Sequence, residues 1–157
     1  MKDLYEEFLQ RLEKSNDENR HKAFNKRHQK GYRTARENLN DLVDKDSFLE
    51  FGQFAVAAQR SRRDYEELQE DTNADGIITG FCSINADKVG KENADAAAII
   101  YDYSVLAGTQ GYFHHQKLDR IIEKAKKFNL PVVIYTEGGG GRPGDVDVTT
   151  QVAGLHV

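Results

Sequence analysis

The second half of the chain alternates between strand-like and helix-like patterns, and this order constrains the fold more than any other feature. Residues 96–103 form an apolar, strand-like run, and a turn with two glycines follows at 107–111. Helical spacing then places five apolar side chains on one side of a helix: Leu118, Ile121, Ile122, Ala125 and Phe128. Pro131 marks the end of that helix, and the apolar run 132–135 is typical of a strand covered on both faces. The order strand, helix, strand predicts an α/β layer fold with right-handed crossovers.

The first 45 residues are predicted to be a helical lead-in. Apolar side chains recur there at spacings of three and four residues: Leu4, Tyr5, Phe8, Leu9 and Leu12. They indicate a docking helix that ends near Lys14. A second, basic helix is predicted at about 17–29, and Gly31 closes it because glycine is best suited to a left-handed helix end.

A capping box predicts the start of a third helix. The Thr34 hydroxyl can accept from the Glu37 amide, and the Glu37 carboxylate can reach back. This helix is expected to end near residues 44–47 and to bury Leu39, Leu42 and Val43. The charged segment 60–75 gives no clear signal, whereas glycines and β-branched residues predict a bent strand or strand pair at 76–84. One domain is expected over 1–157, with the lead-in at 1–45 and an α/β core at 75–157.

Composition narrows the class of protein. A chain of 157 residues with 38% hydrophobic side chains can bury one globular core. Its apolar runs are far shorter than the roughly 18 residues of a membrane span, and its start lacks the layout of a secretory signal. We therefore expect a cytoplasmic protein with no membrane partner. The single cysteine, Cys82, excludes an internal disulfide and a multi-cysteine zinc site, and its apolar neighbours favour a buried thiol over a reactive one.

Basic residues are concentrated near the front of the chain. The stretch 19–36 has two histidines, no acid and seven basic residues: Arg20, Lys22, Lys26, Arg27, Lys30, Arg33 and Arg36. Such a stretch is either a phosphate-binding surface or a solvated helical face, and the pattern does not separate the two. Nucleic acid is not expected as a partner, because the chain has a net charge of −4 and carries no recognised nucleic-acid motif.

Four consecutive glycines, Gly138 to Gly141, follow the last predicted strand directly. Each costs about 0.5–1 kcal/mol relative to alanine in regular structure, so the run indicates either a flexible turn or a place where a ligand approaches bare backbone. The segment lacks the Lys-Ser/Thr pair of a phosphate loop and the spaced glycines of a dinucleotide fingerprint. An oxyanion cradle of main-chain amides remains, assisted by a helix that is expected to begin near Asp145.

The glycine turn at 108–111 also follows a strand, so both glycine turns are expected at one edge of the sheet and along one cleft. Ordinary catalytic groups are few there. His114 and His115 point about 100° apart on a helix and are expected to pack or face solvent. Glu137 is an acid, a base or, more favoured, a hydrogen-bonding partner of the glycine loop. Asp102 and Tyr103 are expected to be structural. We see no nucleophile with a paired base and no cluster of metal ligands in the sequence.

Several segments, taken in order, resemble consecutive blocks of the biotin-dependent acyl-CoA carboxyltransferases of the acetyl- and propionyl-CoA carboxylase type. They are HQKGYRTARENL at 28–39, DSF at 46–48, DGIITG at 75–80, YDYSVLAGTQG at 101–111, His114 with residues 116–118, and PVV at 131–133. Any one block is unspecific, whereas the ordered set spans most of the chain, from about residue 28 to 145.

The resemblance implies a crotonase-like fold of ββα units preceded by N-terminal helices, here as a truncated N-domain. It implies transfer of a carboxyl group from carboxybiotin, held on a carrier domain, to the α-carbon of an acyl-CoA, as in fatty acid biosynthesis. Biotin carboxylase, the biotin carboxyl carrier and a homo-oligomeric parent are the implied partners, without a metal in this segment. Main-chain amides of Gly139 and Gly140 would hold the thioester oxygen. The implied CoA-binding residues are Lys30, Arg33, Arg36, Gly108, Thr109, Gly138, Gly141 and Arg142.

The sequence departs from the family pattern at three places. Gly138 and Gly141 replace the usual serine and alanine of the loop, and residues 107–109 read Ala-Gly-Thr in place of Gly-Gly-Ser. Family members are several times longer and use a second domain to hold biotin, so we expect a fragment that is inactive alone. The lone cysteine argues against the branch with an N-terminal zinc ribbon. Two other hypotheses stay open: a crotonase-type hydratase or decarboxylase acting on acyl-CoA, and a non-catalytic assembly module.

Overall fold

The computed structural model describes residues 3–148. Helices α1 (Leu4–Lys14), α2 (His21–His28) and α3 (Ala35–Leu42) precede strand β1 (Leu49–Phe51) and helix α4 (Tyr65–Asp71). Strand β2 (Ile77–Ser83), the short helix α5 (Ala86–Val89) and strand β3 (Asp95–Tyr101) follow. Helix α6 (Tyr112–Phe128) then leads to strand β4 (Val132–Tyr135). Among the described residues, none of the helices is both long and apolar enough to cross a membrane.

The four strands form one mixed sheet in the order β1, β2, β3, β4. The strand pairs β1–β2 and β2–β3 are antiparallel, with Ile77 opposite Tyr101 and Ser83 opposite Asp95. Strand β4 lies parallel to β3, and helix α6 supplies the long crossover connection that a parallel pair needs. The predicted α/β class is therefore confirmed.

Helices cover both faces of the sheet, because alternate side chains of β2 and β3 point to opposite sides. One face packs Ile78, Cys82 and Ile100 against Leu39 of α3. The other packs its apolar side chains against Ile121 and Ala125 of α6. The sheet is thus the middle of three layers, and it holds the ends of β3 and β4 beside the start of α6.

The helical lead-in agrees in its main points with the helices predicted from the sequence. Helix α1 has the predicted bounds, and the capping box of Thr34 and Glu37 is present at the start of α3. Gly31 closes α2 with a φ of +74°, as expected. The second helix is shorter than predicted, because a 3-10 turn at Asp17–Asn19 separates α2 from α1. The segment 60–75 contains α4, which the sequence did not indicate.

Three expectations about the sheet and its crossover helix were wrong. Residues 76–84 contain one continuous strand, β2, and not the strand pair that was one of the two alternatives. Strand β4 is not covered on both faces: Val132 is 39% and Ile134 is 44% exposed, because β4 is the edge strand of the described sheet. Ile122 and Phe128 are also exposed, so the inward stripe of α6 is narrower than the predicted one. The division into 1–45 and 75–157 stays a prediction, and its last residues lie outside the described part.

Candidate functional site

The two glycine turns lie against each other, as predicted. The Gln110 amide donates to the Gly140 carbonyl at 3.0 Å, and the Arg142 amide donates to the Gln110 carbonyl at 2.8 Å. Gly108 and Gly138 have φ values of +68° and +120°, and each backbone occupies the space that a Cβ on the other would need. The ends of β3 and β4 therefore carry one continuous glycine-lined edge.

The middle of the glycine loop is open. A Cβ placed on Gly139 or on Gly140 would meet no atom within 4 Å, and both residues are exposed. Within residues 3–148, the amides of Gly138 to Gly141 donate to no protein acceptor. Since main-chain amides normally have a partner, these donors are available to a ligand.

Glu137 holds the first end of the loop. Its carboxylate accepts two hydrogen bonds of 2.7 Å from the buried guanidinium of Arg27, one at each oxygen. Such a fork-to-fork pair fixes the position of both groups. The expectation that Glu137 bonds the glycine loop was wrong, because its side chain turns toward α2 and leaves the loop amides free.

Arg142 holds the other end. Its buried guanidinium pairs with Asp75, which is itself fully buried, and donates to the Thr109 carbonyl at 2.8 Å. Burial raises the pKa of Asp75, and the charge of Arg142 opposes that shift. Arg142 was expected among the CoA-binding residues, but its donors are turned inward to Asp75 and Thr109.

A left-handed turn presents Asp75 to Arg142. Ala74, Asp75 and Gly76 all have positive φ values, a costly conformation for the first two. The ammonium group of the buried Lys117 donates to the carbonyls of Ala74 and Ile77, on either side of Asp75. Burial lowers the pKa of Lys117 to about 8. No local pattern singles out Lys117, since an apolar helix stripe does not predict a buried lysine beside it.

Asp145 does not begin a helix in the described part of the chain. Its carboxylate instead accepts from the Tyr112 amide at 2.7 Å, while Asp75 accepts from the His114 amide at 2.8 Å. Both carboxylates thus cap the start of α6, where a helix favours negative charge. No helix begins between Asp145 and Val148, and the residues through which the predicted helix would continue lie outside the described part of the chain.

The remaining polar candidates have structural positions. His114 and His115 are both buried, and burial lowers the pKa of His114 to about 3. Asp102 forms a buried ion pair of 2.8 Å with Arg20. Cys82 is buried and burial raises the pKa of its thiol to about 11, so the buried interpretation is confirmed.

The basic segment divides into exposed and paired residues. Lys30 and Arg33 are exposed, although Arg33 also pairs with Asp41 at 2.9 Å. Arg36 binds both oxygens of Glu50 at 2.6 and 3.0 Å and so ties α3 to β1. Among residues 3–148, no three His, Cys, Asp or Glu side chains are grouped as ligands for a metal ion.

Fold and site together define a mixed α/β protein in which a glycine loop, held at each end by an ion pair, exposes main-chain amides that have no acceptor within residues 3–148. The profile of the carboxyl transferase domain matches residues 26–155. The chain belongs to this family.

Similar curated proteins and solved structures agree with this family assignment. The acetyl-coenzyme A carboxylase carboxyl transferase subunit beta of Prochlorococcus marinus is 34% identical over 68% of this chain. A propionyl-CoA carboxylase beta chain of Cereibacter sphaeroides is 30% identical over 90% of it. The chain spans 37% and 26% of the length of these two relatives. A single-chain, multi-domain long-chain acyl-CoA carboxylase superposes with a TM-score of 0.88 and 48% identity, over 95% of this chain and 15% of that one.

Proposed function

We propose that this chain carries the acyl-CoA half of a biotin-dependent carboxyltransferase site. The main-chain amides of Gly139 and Gly140 bind the thioester oxygen, and the α-carbon of the acyl-CoA receives the carboxyl group. The observation that carries the proposal is a glycine loop whose central amides have no acceptor within residues 3–148 and whose two ends are each held by an ion pair. Such preorganised donors stabilise the negative charge that develops on a carbonyl oxygen when an enolate forms.

The rest of the site positions the acyl-CoA. Lys30 and Arg33 are exposed and contact the CoA phosphates, while Arg36 keeps their segment in place through Glu50. The turn of Gly108 and Thr109 lies directly against the glycine loop, and these two residues are the proposed contacts to the acyl-CoA on that side. Gly138, with a φ of +120°, permits the loop conformation, and Gly138 and Gly141 are the proposed contacts to the acyl-CoA on either side of the two central amides. Arg142 supports the loop through its hydrogen bond to the Thr109 carbonyl.

Carboxybiotin is the proposed co-substrate and supplies the carboxyl group. Within residues 3–148 the glycine loop carries one set of free amides, and we assign that set to the thioester oxygen. No residue of this chain is therefore assigned to biotin. The carrier, biotin carboxylase and a homo-oligomeric parent remain proposed partners. The order β2, β3, α6 is one ββα unit, which supports a crotonase-like fold.

A titration tests the oxyanion assignment. The ¹⁵N-labelled chain is titrated with acetyl-CoA and, separately, with CoA, which lacks the thioester carbonyl. We expect the amide signals of Gly139 and Gly140 to shift with acetyl-CoA and to shift less with CoA. If both amides stay unchanged at millimolar acetyl-CoA, the oxyanion assignment is wrong.

Charge variants test the phosphate contacts. Lys30→Gln is expected to weaken CoA binding about two- to fivefold, the usual range for an exposed ionic contact. Lys126→Gln removes another exposed charge, at the far end of α6, and is expected to leave binding unchanged. Equal effects of the two substitutions would indicate attraction by overall charge and contradict a specific contact.

A further inference from the structure

The basic turn that follows α2 is built around the side chain of Arg27. The Arg27 carbonyl accepts from the amides of Lys30 and Tyr32 at 3.0 and 3.1 Å. Its guanidinium donates back to the Arg33 carbonyl, from Nε at 2.9 Å and from Nη2 at 2.8 Å. Residues 30–33, which we call the basic turn, therefore fold around the buried side chain of Arg27.

The same guanidinium holds the glycine loop. Nη1 and Nη2 each donate to one oxygen of Glu137, the residue directly before Gly138. The rings of Tyr32 and Tyr103 lie 5.1 and 5.6 Å from its Cζ atom, within cation–π distance. One planar group thus joins the exposed basic turn to the start of the loop that carries the free amides.

We propose that Arg27 is a positioning residue that couples occupation of the basic turn by CoA phosphates to the alignment of the Gly139 and Gly140 amides. The proposal rests on the proposed function. A phosphate bound by Lys30 and Arg33 orders the basic turn and with it the Arg33 carbonyl. Because one planar guanidinium binds both that carbonyl and the Glu137 carboxylate, ordering the turn also fixes the start of the glycine loop. Coupling of this kind is reciprocal, so an occupied glycine loop strengthens phosphate binding by the same factor.

The geometry requires arginine. A guanidinium presents five donors in one plane and can serve the Arg33 carbonyl and both Glu137 oxygens at once. A lysine keeps the charge but offers a single ammonium group, which cannot span these three acceptors in the observed directions. Arg27→Lys is therefore a variant that keeps the electrostatics and removes the mechanical link.

The test uses the ¹⁵N-labelled chain and the nucleotide half of CoA, 3′-phospho-ADP, which has no thioester. In the unchanged chain we expect amide shifts at Lys30 and Arg33 and also at Gly139 and Gly140. In Arg27→Lys the shifts at residues 30–33 are expected to persist and those at the two glycines to disappear. The preference for acetyl-CoA over 3′-phospho-ADP is expected to fall about fivefold, at the low end of measured couplings.

Two further variants keep the test decisive. Glu137→Ala removes both acceptor oxygens of the same link from the partially exposed side and leaves the basic turn intact, so it replaces Arg27→Lys if that variant fails to fold. Arg63→Lys alters an arginine that bridges Glu67 and Asp71 on α4 and is expected to keep every nucleotide-induced shift.

The outcomes separate the coupling from the function on which it rests. Binding at residues 30–33 without glycine shifts in the unchanged chain, or glycine shifts that survive in both link variants, overturns the coupling alone. Absence of any shift with 3′-phospho-ADP, CoA and acetyl-CoA overturns the proposed function, and the coupling with it.

Discussion

Gly108 and Gly138 lie backbone to backbone, so that neither position has room for a Cβ. A Cβ on Gly108 would overlap the Glu137 carbonyl oxygen, and one on Gly138 would lie 2.6 Å from the Ala107 carbonyl oxygen. This contact brings the end of β3 to the end of β4 and sets the width of the glycine-lined edge. Glycine at these two positions is required by packing as well as by φ.

The first prediction concerns this contact. Gly108→Ala is expected to lower the free energy of unfolding by about 1–2 kcal/mol for the left-handed backbone and about 1–3 kcal/mol more for the steric overlap. Gly31→Ala is the matched control, because Gly31 has a similar φ of +74° but nothing within 4 Å of a Cβ. Urea denaturation of both variants measures the difference. Equal losses would mean that the overlap is relieved by a small shift of the loop.

The second prediction concerns the buried pair of Arg142 and Asp75. Arg142→Met leaves the Asp75 carboxylate buried without its cation, which is expected to cost about 3–5 kcal/mol. The variant should also raise the pKa of Asp75 further, so the folded state binds a proton that the unfolded state has lost. Its stability should therefore fall as pH rises from about 4, where unfolded aspartate titrates. Unfolding midpoints between pH 4 and 7 measure this slope.

Asp75→Asn combined with Arg142→Met is the control, since it removes the Asp75 carboxylate whose titration gives the added slope, while the buried Asp145, which also lies beside Arg142, is common to both variants. The double variant is expected to be more stable than Arg142→Met at pH 7 and to lose the added pH slope. A single variant with no slope would mean that solvent reaches Asp75 when Arg142 is removed.

Features that depend only on residues close together in the sequence were predicted correctly. The capping box of Thr34 and Glu37, the left-handed Gly31 and the apolar stripe around Leu39 each require only a few residues in sequence, and all three were confirmed. The pairing of the two glycine turns was also predictable, because the carboxyl ends of neighbouring parallel strands share one edge of a sheet.

The partners of the charged side chains could not be predicted in the same way. Arg27 and Glu137 are 110 residues apart, and Arg142 and Asp75 are 67 apart. Nothing local distinguishes Arg27 from the other basic residues of its segment. Reasoning from the sequence therefore pairs Glu137 with the nearest donors, the loop amides. The exposure of β4 was missed for a related reason: an apolar run indicates what a strand can pack against, and does not indicate which neighbours are present.

The third prediction concerns His114. Its pKa is about 3 in the folded protein because burial disfavours the charged form, against about 6.5 in the unfolded chain. Between these values the unfolded chain binds the extra proton, so stability should fall as pH decreases below about 6.5. The contribution of one such group is at most about 1.4 kcal/mol per pH unit. His114→Gln should remove this part of the slope, measured by urea denaturation from pH 7 to 5. An unchanged slope would assign the effect to other groups, among them His115, whose pKa burial also lowers.

The last prediction uses Cys82 as a reporter of unfolding. Its thiol is buried near the end of β2 and its pKa is about 11, chiefly through burial, so at pH 8 the reactive thiolate is roughly two orders of magnitude scarcer than in an unfolded chain. Labelling by a thiol reagent should be slow in the native protein and fast in denaturant. Since β2 is central, we expect labelling to require opening of the core, with a rate that follows the population of the open state. Gly31→Ala, at about 1 kcal/mol, should then speed labelling about fivefold, and Gly108→Ala should speed it more. If neither substitution changes the labelling rate, local fraying of β2 exposes Cys82 without opening of the core.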